Sequence, residues 1–280
     1  MTLSCTVVVP CFNEAARLDP DKLDVLASAA EARVLAVDDG STDDTAARLD
    51  KLVSGDGDRY ELLALGANHG KGEAVRQGLL AAVAGGADLV AYCDADFATP
   101  PAEVARLIAT LRAQHDAGVV LGSRVALMGS DIHRSAFRHY TGRLFATAGS
   151  LVLGVPVYDT QCGAKAFRVT AALRESLAAP FVSRWAFDVE LLGRLLRHRD
   201  LAPPDGAGRF VELPLHEWRE PGGSKLTAGA GLRAATDLVR IHRVLRGPRG
   251  ARRPRGTDIG PASGGPAPSV DRFDEERDRA

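Results

Sequence analysis

Through its first 120 residues the chain alternates short apolar runs, rich in β-branched residues, with longer stretches whose apolar positions recur at helical spacing. The runs are CTVVVP (5–10), RVLAVDD (33–39), YELLALG (60–66), DLVAYCD (88–94) and GVVLGS (118–123). Short strands separated by helices make βαβ units, so the pattern predicts an α/β fold with a mostly parallel central sheet. The clearest helix follows Asp96, where Val104, Leu107, Ile108 and Leu111 keep i, i+3, i+4, i+7 spacing, with Thr99 placed to cap and Pro100 to open the first turn.

From about 124 to 246 the order is less regular. It predicts a basic-apolar helix over 131–153, a strand around CGAKAFR (162–168), a helix in AFDVELLGRLLRH (186–198), a strand in RFVELPL (209–215) and a last helix over 228–246. Residues 247–280 are rich in Gly and Pro and offer only Ile259, Val270 and Phe273 as large apolar residues. Such a segment buries too little to offset its ordering entropy, so the expected division is a folded domain over 1–246 and a disordered tail over 247–280.

Composition narrows the class without naming it. With 45% hydrophobic and 25% charged residues, a net charge of -1 and a pI near 6.7, the 280 residues read as an ordinary globular chain. They give no overall basic field for a nucleic-acid partner, so any anionic ligand must be met by a local patch. Cys5, Cys11, Cys93 and Cys162 show neither zinc spacing nor the density of a disulfide scaffold, and are expected to be reduced thiols of a cytoplasmic protein. No window approaches the roughly 18–20 apolar residues of a membrane span, and the N-terminal MTLSCTVVVP lacks the basic start of a signal peptide.

The chemistry gathers at strand ends. Asp94 and Asp96 stand one residue apart after the fourth run, at the carboxyl edge where open α/β sheets bind ligands. If the chain turns after Cys93 the two carboxylates converge, and a hard cation such as Mg²⁺ or Mn²⁺, shared with substrate phosphates, would supply the missing positive charge. Taken alone, the pattern reads equally as a solvated acidic loop. Two earlier runs also finish in polar clusters, Asn13-Glu14 and Asp38-Asp39, in which Asn13, Ser41 and Thr42 are competent helix caps. The third run leads into NHGKGEAVRQG (68–78), where glycines flank Lys71 ahead of a helix, a layout suited to an anion although without Walker A spacing.

VVVPCFNE, VDDGSTDDT, NHGKGEAVRQG and DAD, in this order, resemble the GT-A glycosyltransferases of family 2. GSR (122–124), DTQCGAKAF (159–167), RWAFDVELL (184–192) and GGSKL (222–226) narrow the resemblance to the dolichyl-phosphate (polyprenyl-phosphate) β-glucosyltransferase branch, and it runs from about residue 5 to 242. It implies a GT-A fold, the Rossmann-like nucleotide-diphospho-sugar transferase architecture, and a metal-dependent, inverting hexosyltransferase that moves glucose from UDP-glucose to a polyprenyl phosphate. Carried over by position, Pro10, Phe12 and Glu14 line the nucleoside pocket, Asp39 binds the uracil, and Lys71 lies toward the base and ribose. Asp94 meets the sugar or ribose, Asp96 holds the metal (Mg²⁺ or Mn²⁺) on the diphosphate, and Ser224 and Lys225 close over the donor. Arg124, Arg138 and Gln161 belong to the acceptor side, Asp159 faces the reacting sugar, and Asp188 and Glu190 lie in a helix from which one of them can face the site, a purely structural part for either being the alternative.

The chemistry expected on this reading is simple: a phosphate nucleophile is already anionic, whereas an alcohol acceptor would need a base, for which Asp159 is the candidate. Two features depart from the resemblance. Phe97 follows the aspartates where a small residue is usual, and no N-terminal membrane helix is seen. Contact with the inner face of a membrane is therefore expected from an interfacial helix within 130–157, although a core helix with one basic edge would read the same way. GDP-mannose as donor, or a small soluble acceptor, are the alternatives. A sugar-nucleotide pyrophosphorylase would want a basic Gly-rich loop after the first strand, which VPCFNEAARL does not offer, and a catalytically dead binding module would have no use for both aspartates together with Arg124 and Lys225.

Overall fold

All five early apolar runs form strands, and their alternating side chains explain the layering. The computed structural model of the chain describes residues 3–133, 136–198, 201, 209–219 and 228–247, with only the backbone at 136–139 and 228–232. In chain order the elements are β1 (Cys5–Cys11), α1 (Pro20–Ala30), β2 (Arg33–Asp38), α2 (Thr45–Gly55), β3 (Tyr60–Ala64), α3 (Lys71–Ala84), β4 (Leu89–Cys93), α4 (Pro101–Ala113) and β5 (Val119–Ser123). There follow β6 (Asp131–His133), α5 (Ala136–Leu153), β7 (Ala164–Arg168), α6 (Ala171–Leu177), α7 (Phe187–Leu196), β8 (Phe210–Pro214), β9 (Glu217–Arg219) and α8 (Ala228–Arg246). Met1–Gly247 forms one compact unit. The expected tail falls, after Gly247, outside the described residues.

The main sheet has seven strands in the order β3-β2-β1-β4-β7-β5-β8. β1, β2, β3 and β4 pair in parallel, as do β5 and β8, while β7 runs antiparallel to both neighbours, β4 and β5. Strand period two sends Val7, Val9, Ala91 and Cys93 to one face, against Leu23 and Leu26 of α1 and Leu107, Ile108 and Leu111 of α4. It sends Val8, Val90 and Tyr92 to the other, against Val75 and Leu79 of α3 and Phe187 and Leu191 of α7. A third cluster joins Val189 of α7 to Leu238, Ile241 and Leu245 of α8, with Phe145 and Val152 of α5 against it.

Several expectations are corrected. The helix predicted from 131 begins at Ala136, because Asp131–His133 pairs instead with Glu217–Arg219 as a separate two-stranded sheet. The strand predicted over 162–168 starts at Ala164, its first two residues forming part of a strap across the site. α4 starts one residue late, with Pro101 at its first position and the flanking Pro100 offering no side-chain cap, while Thr99 is buried. α6 has no counterpart in the sequence reading; Thr170 caps it by accepting from Leu173 N at 3.3 Å. Asn13, Ser41 and Thr42 cap no helix.

Candidate active site

Those three polar residues sew two loops together at the carboxyl edge of the sheet. Asn13, in the left-handed region at φ 54°, donates its N–H to Ser41 Oγ at 3.0 Å, and Thr42 N donates back to Asn13 Oδ1 at 2.8 Å. Beside them Glu14 N donates to Thr45 Oγ1 at 2.8 Å. Glu14 is thereby held over the edge, where Arg17 Nη2 donates to its Oε1 at 2.8 Å. Phe12 is 41% exposed at the same edge, and Pro10 stands in β1 opposite Val37.

Asp39 organises the next loop. Its carboxylate accepts from His69 N at 2.7 Å and Gly70 N at 2.8 Å, and its own N–H closes onto the Cys11 carbonyl at 2.9 Å. The structure thus uses both Asp39 oxygens to set the Lys71 loop, and the residue is 2% exposed. The expected anion site at the start of α3 is altered, because the N–H of Gly72 is taken by the Arg184 carbonyl at 3.2 Å. Arg184 Nη2 also donates to the Asn68 carbonyl at 3.1 Å. Gly70, at φ 95°, admits the Arg184 side chain where a Cβ would otherwise stand.

The paired aspartates do converge. Asp94 N donates to the Gly163 carbonyl at 3.1 Å and Phe97 N to the Asp94 carbonyl at 3.1 Å, so the chain turns as soon as β4 ends. Strand parity puts Asp94 on the face of Tyr92, toward α3, and Lys71 Nζ meets Asp94 Oδ1 at 2.5 Å. Asp96 accepts from Ala98 N at 3.0 Å. Burial, and then the neighbouring Asp94 charge, push the Asp96 carboxyl above its usual range, with the Ala98 N–H, Lys71 and Arg17 opposing. Burial also raises Glu14, Arg17 opposes it, and Asp96 and Asp94 raise it further. Lys71 is held above its usual range by Asp94 and then Asp188, against the effect of burial. Glu14, Asp94 and Asp96 therefore form one electrostatic site that is short of positive charge.

Among the described residues no group of three or more His, Cys, Asp or Glu is placed to hold a metal ion. A Mg²⁺-like cation does not require such a cage, since one or two carboxylates plus substrate phosphates suffice. The hard oxygen donors of Asp96, its raised pKa and the adjoining carboxylates fit a divalent cation of this kind.

Arg124, just past β5, is gripped by Asp159: Nε donates to Oδ2 at 2.6 Å, Nη2 to Oδ1 at 2.8 Å, and Arg124 N also to Oδ2 at 3.1 Å. The guanidinium stands 5.3 Å from the Trp218 ring centroid. Asp159 is buried, yet Arg124 holds its carboxyl down to about 2. Both Asp159 oxygens are engaged by the Arg124 guanidinium, so the carboxylate stands here as the anchor of that arginine. Asp159 in turn raises the Arg124 pKa against burial, and Asp94 adds to it from further away. Glu212 of β8 fixes the strap by accepting from Tyr158 N at 2.8 Å and Asp159 N at 2.7 Å. Gln161 N donates to Asp159 Oδ1 at 3.2 Å, and the buried Gln161 Nε2 makes no hydrogen bond among the described residues.

The remaining expectations divide. Ser224 and Lys225, with the side chain of Arg138, lie outside the described residues. Asp188 and Glu190 are both buried and both paired, the first with Lys165 and the second with Arg194. Phe97 is in the left-handed region at φ 50° and points into the core rather than into a sugar pocket. Trp185 is 52% exposed and edge-on to Phe145 at 5.4 Å, whereas Trp218 is buried. All four cysteines are free and buried. Lys165 and Arg184 were not singled out from the sequence. A lysine inside the apolar strand AKAF was the available signal, since a charge there requires a buried partner.

Residues 6–174 match the family described as Glycosyl transferase family 2. The dolichyl-phosphate beta-glucosyltransferase of Drosophila melanogaster is 35% identical over 253 residues, covering 81% of this chain and 70% of the relative. That of Homo sapiens is 33% identical over 268 residues, covering 88% and 77%. Among solved structures, glucosyl-3-phosphoglycerate synthase from Mycobacterium tuberculosis, in complex with Mn²⁺, UDP-glucose and phosphoglyceric acid, superimposes with a TM-score of 0.63 at 19% identity, over 86% of this chain and 80% of that one. The fold is accordingly GT-A, and the chain belongs to glycosyl transferase family 2.

Proposed function

We propose that the protein transfers glucose from UDP-glucose to a polyprenyl phosphate, with inversion at the anomeric carbon. The observation that carries this reading is the gathering of Lys71, Asp94 and Asp96 at one strand end, with Lys71 paired to Asp94 at 2.5 Å. Arg124, anchored by Asp159, stands past the end of β5 and is coupled electrostatically to the same Asp94 carboxylate. A donor diphosphate and an acceptor phosphate would each find a cation there. The names of the Drosophila and human relatives support dolichyl-type phosphate and glucose.

On this reading Pro10, Phe12 and Glu14 border the nucleoside, while Asp39 acts by shaping the Lys71 loop around it. Lys71 and Asp94 orient the ribose and sugar, and Ser224 and Lys225 close over the diphosphate. Bound at Asp96, Mg²⁺ or Mn²⁺ would neutralise charge on the departing diphosphate. Arg124 and Arg138 hold the acceptor phosphate, Gln161 steers it, and Asp159 keeps Arg124 in place. The phosphate oxygen is largely ionised at neutral pH, so attack opposite the leaving group needs no base.

Among the described residues no helix is long and apolar enough to cross a membrane. We place the enzyme on the cytoplasmic face of a membrane, bound peripherally through α5, where Leu144 and Leu151 stand 75% and 78% exposed seven residues apart on one side. The four free thiols accord with a reducing compartment.

The deciding assay mixes purified protein, UDP-glucose, Mn²⁺ or Mg²⁺ and polyprenyl phosphate in detergent, and follows UDP release together with lipid-linked glucose. Formation of a β-linked glucosyl lipid is expected. Transfer only from GDP-mannose, or only to a soluble hydroxy compound, would replace this assignment.

A further inference from the structure

Beneath the paired aspartates lies a charged cluster shielded from solvent. Lys165, inside β7, is 1% exposed. Its Nζ donates to Asp188 Oδ1 at 2.7 Å, to Tyr92 OH at 3.0 Å and to the Cys162 carbonyl at 2.7 Å, which occupies all three ammonium protons. The Tyr92 hydroxyl in turn donates to Asp188 Oδ1. Buried ion pairs of this kind seldom add net stability over apolar residues of similar volume, so stability is a weak account of the cluster.

Its connections offer a better one, because each partner belongs to a different segment of the site. Tyr92 is in β4, two residues before Asp94. The Cys162 carbonyl belongs to the strap that carries Asp159 and Gln161, and the next residue, Gly163, receives the Asp94 N–H at 3.1 Å. Asp188 stands in the first turn of α7, four residues after Arg184, whose carbonyl and guanidinium hold Gly72 and Asn68 on either side of Lys71. Phe187 presses the same turn onto α3, so closely that a Cβ on Gly72 would lie 2.8 Å from its own Cβ.

We propose that Lys165 and Asp188 are positioning residues for glycosyl transfer: their pair, with Tyr92, sets the Lys71 loop, Asp94 and the 159–163 strap in register without touching substrate. The proposal rests on the transferase reading above and adds to it a source of alignment. Small displacements are costly there, since about 1 Å of misplacement can slow a reaction roughly 100-fold. The nucleoside side of the site, built on β1 and β2, lies outside the cluster's hydrogen bonds.

The test replaces the cluster by apolar residues of similar volume, in the triple variant Tyr92→Phe, Lys165→Met, Asp188→Leu, leaving no buried charge unpaired. Expected are a thermal midpoint within a few degrees of the parent and a turnover number lower by about 30-fold or more, with the loss of UDP affinity by calorimetry about tenfold smaller than the loss of turnover. Turnover per folded molecule within about threefold of the parent would overturn the proposal while leaving the transferase reading intact. If the triple variant does not fold, Tyr92→Phe alone keeps the ion pair, and a roughly threefold to fivefold loss of turnover at unchanged UDP affinity is expected; no loss overturns the proposal. Leu192→Ala serves as the control in the same helix, lowering the midpoint while keeping turnover; a loss of turnover equal to that of the triple variant would mean that softening α7 suffices, and would also overturn it. Inability of the parent protein to glucosylate polyprenyl phosphate strikes only the acceptor assignment.

Discussion

Lys71 Nζ and Asp94 Oδ1 lie 2.5 Å apart, joining the first residue of α3 to the residue after β4. Both side chains are about a third exposed, so the pair adds little to folding. Its importance is for charge placement. Lys71→Met is expected to leave the thermal midpoint nearly unchanged and to lower turnover by about 100-fold, as removal of one preorganised charge does elsewhere. Steady-state kinetics beside a melting curve make the check; full activity would remove Lys71 from the donor site.

Asp96 should behave in the opposite way in the two assays. Its folded carboxyl titrates above the usual value, so the folded state binds the proton more tightly than the unfolded chain. Stability of the metal-free protein should therefore fall as pH rises from about 3.8 through that raised value, and Asp96→Asn should relieve the loss at neutral pH. The same substitution, or a chelator, should reduce transfer by about 1,000-fold or more if a cation balances this carboxylate. Melting curves against pH and Mn²⁺ titrations read both outcomes; equal activity with and without chelator would rule out the metal.

For Asp159 the sign reverses. Its folded carboxyl is held at about 2, so its contribution is present above about 3.8 and is lost as pH falls toward 2. Asp159→Asn leaves the buried Arg124 without its counter-charge and should cost about 3–5 kcal/mol in denaturant unfolding. A neutral midpoint in that experiment would show that the guanidinium has another anchor.

Gly163 faces Asp94 so closely that an added Cβ would overlap the carboxylate. Gly163→Ala should displace Asp94 from Lys71 and lower turnover by about tenfold to 100-fold, more than it lowers UDP affinity, because Pro10, Phe12 and Glu14 are untouched. Comparable losses in affinity and turnover would point to general loosening of the edge instead.

The exposed Leu144 and Leu151 of α5 are open to change without harm to the core. Leu144→Glu with Leu151→Glu should weaken cosedimentation with phosphatidylglycerol-containing vesicles by tenfold or more, since each leucine contributes roughly 1.5–3 kcal/mol when buried in an apolar phase. Unaltered vesicle binding would move the membrane contact away from this helix.

Much of the carboxyl edge formed by β1, β2 and β4 is legible in the sequence because its signals are local. Strand period placed Asp94 at the end of β4, and the polar clusters after β1 and β2 marked one edge of the sheet. What those clusters do was misjudged: Asn13 and Ser41 look like helix caps in sequence, yet their partners are each other across 28 positions. The rest depends on pairings of buried charges, such as Arg124 with Asp159 and Lys165 with Asp188 and Tyr92. No period or spacing reports these, because a buried charge announces only that it needs a partner, not where that partner is. Likewise Asp131–His133 becomes a strand through residues near 218, which a helix-compatible local pattern cannot foresee.

The antiparallel strand β7 also bears on how the chain must be assembled. β4 and β5 are joined through α4 as an ordinary βαβ unit, whose simplest outcome is direct parallel pairing, but in the finished sheet β7 separates them. A ribosome releases both strands well before Ala164–Arg168, so the growing chain carries a gap that nothing yet fills, and pairing across it would be a trap to be undone. Closing that gap brings Lys165 beside Tyr92 and Gly163 against Asp94, so the carboxyl edge takes its final form only once β7 has emerged.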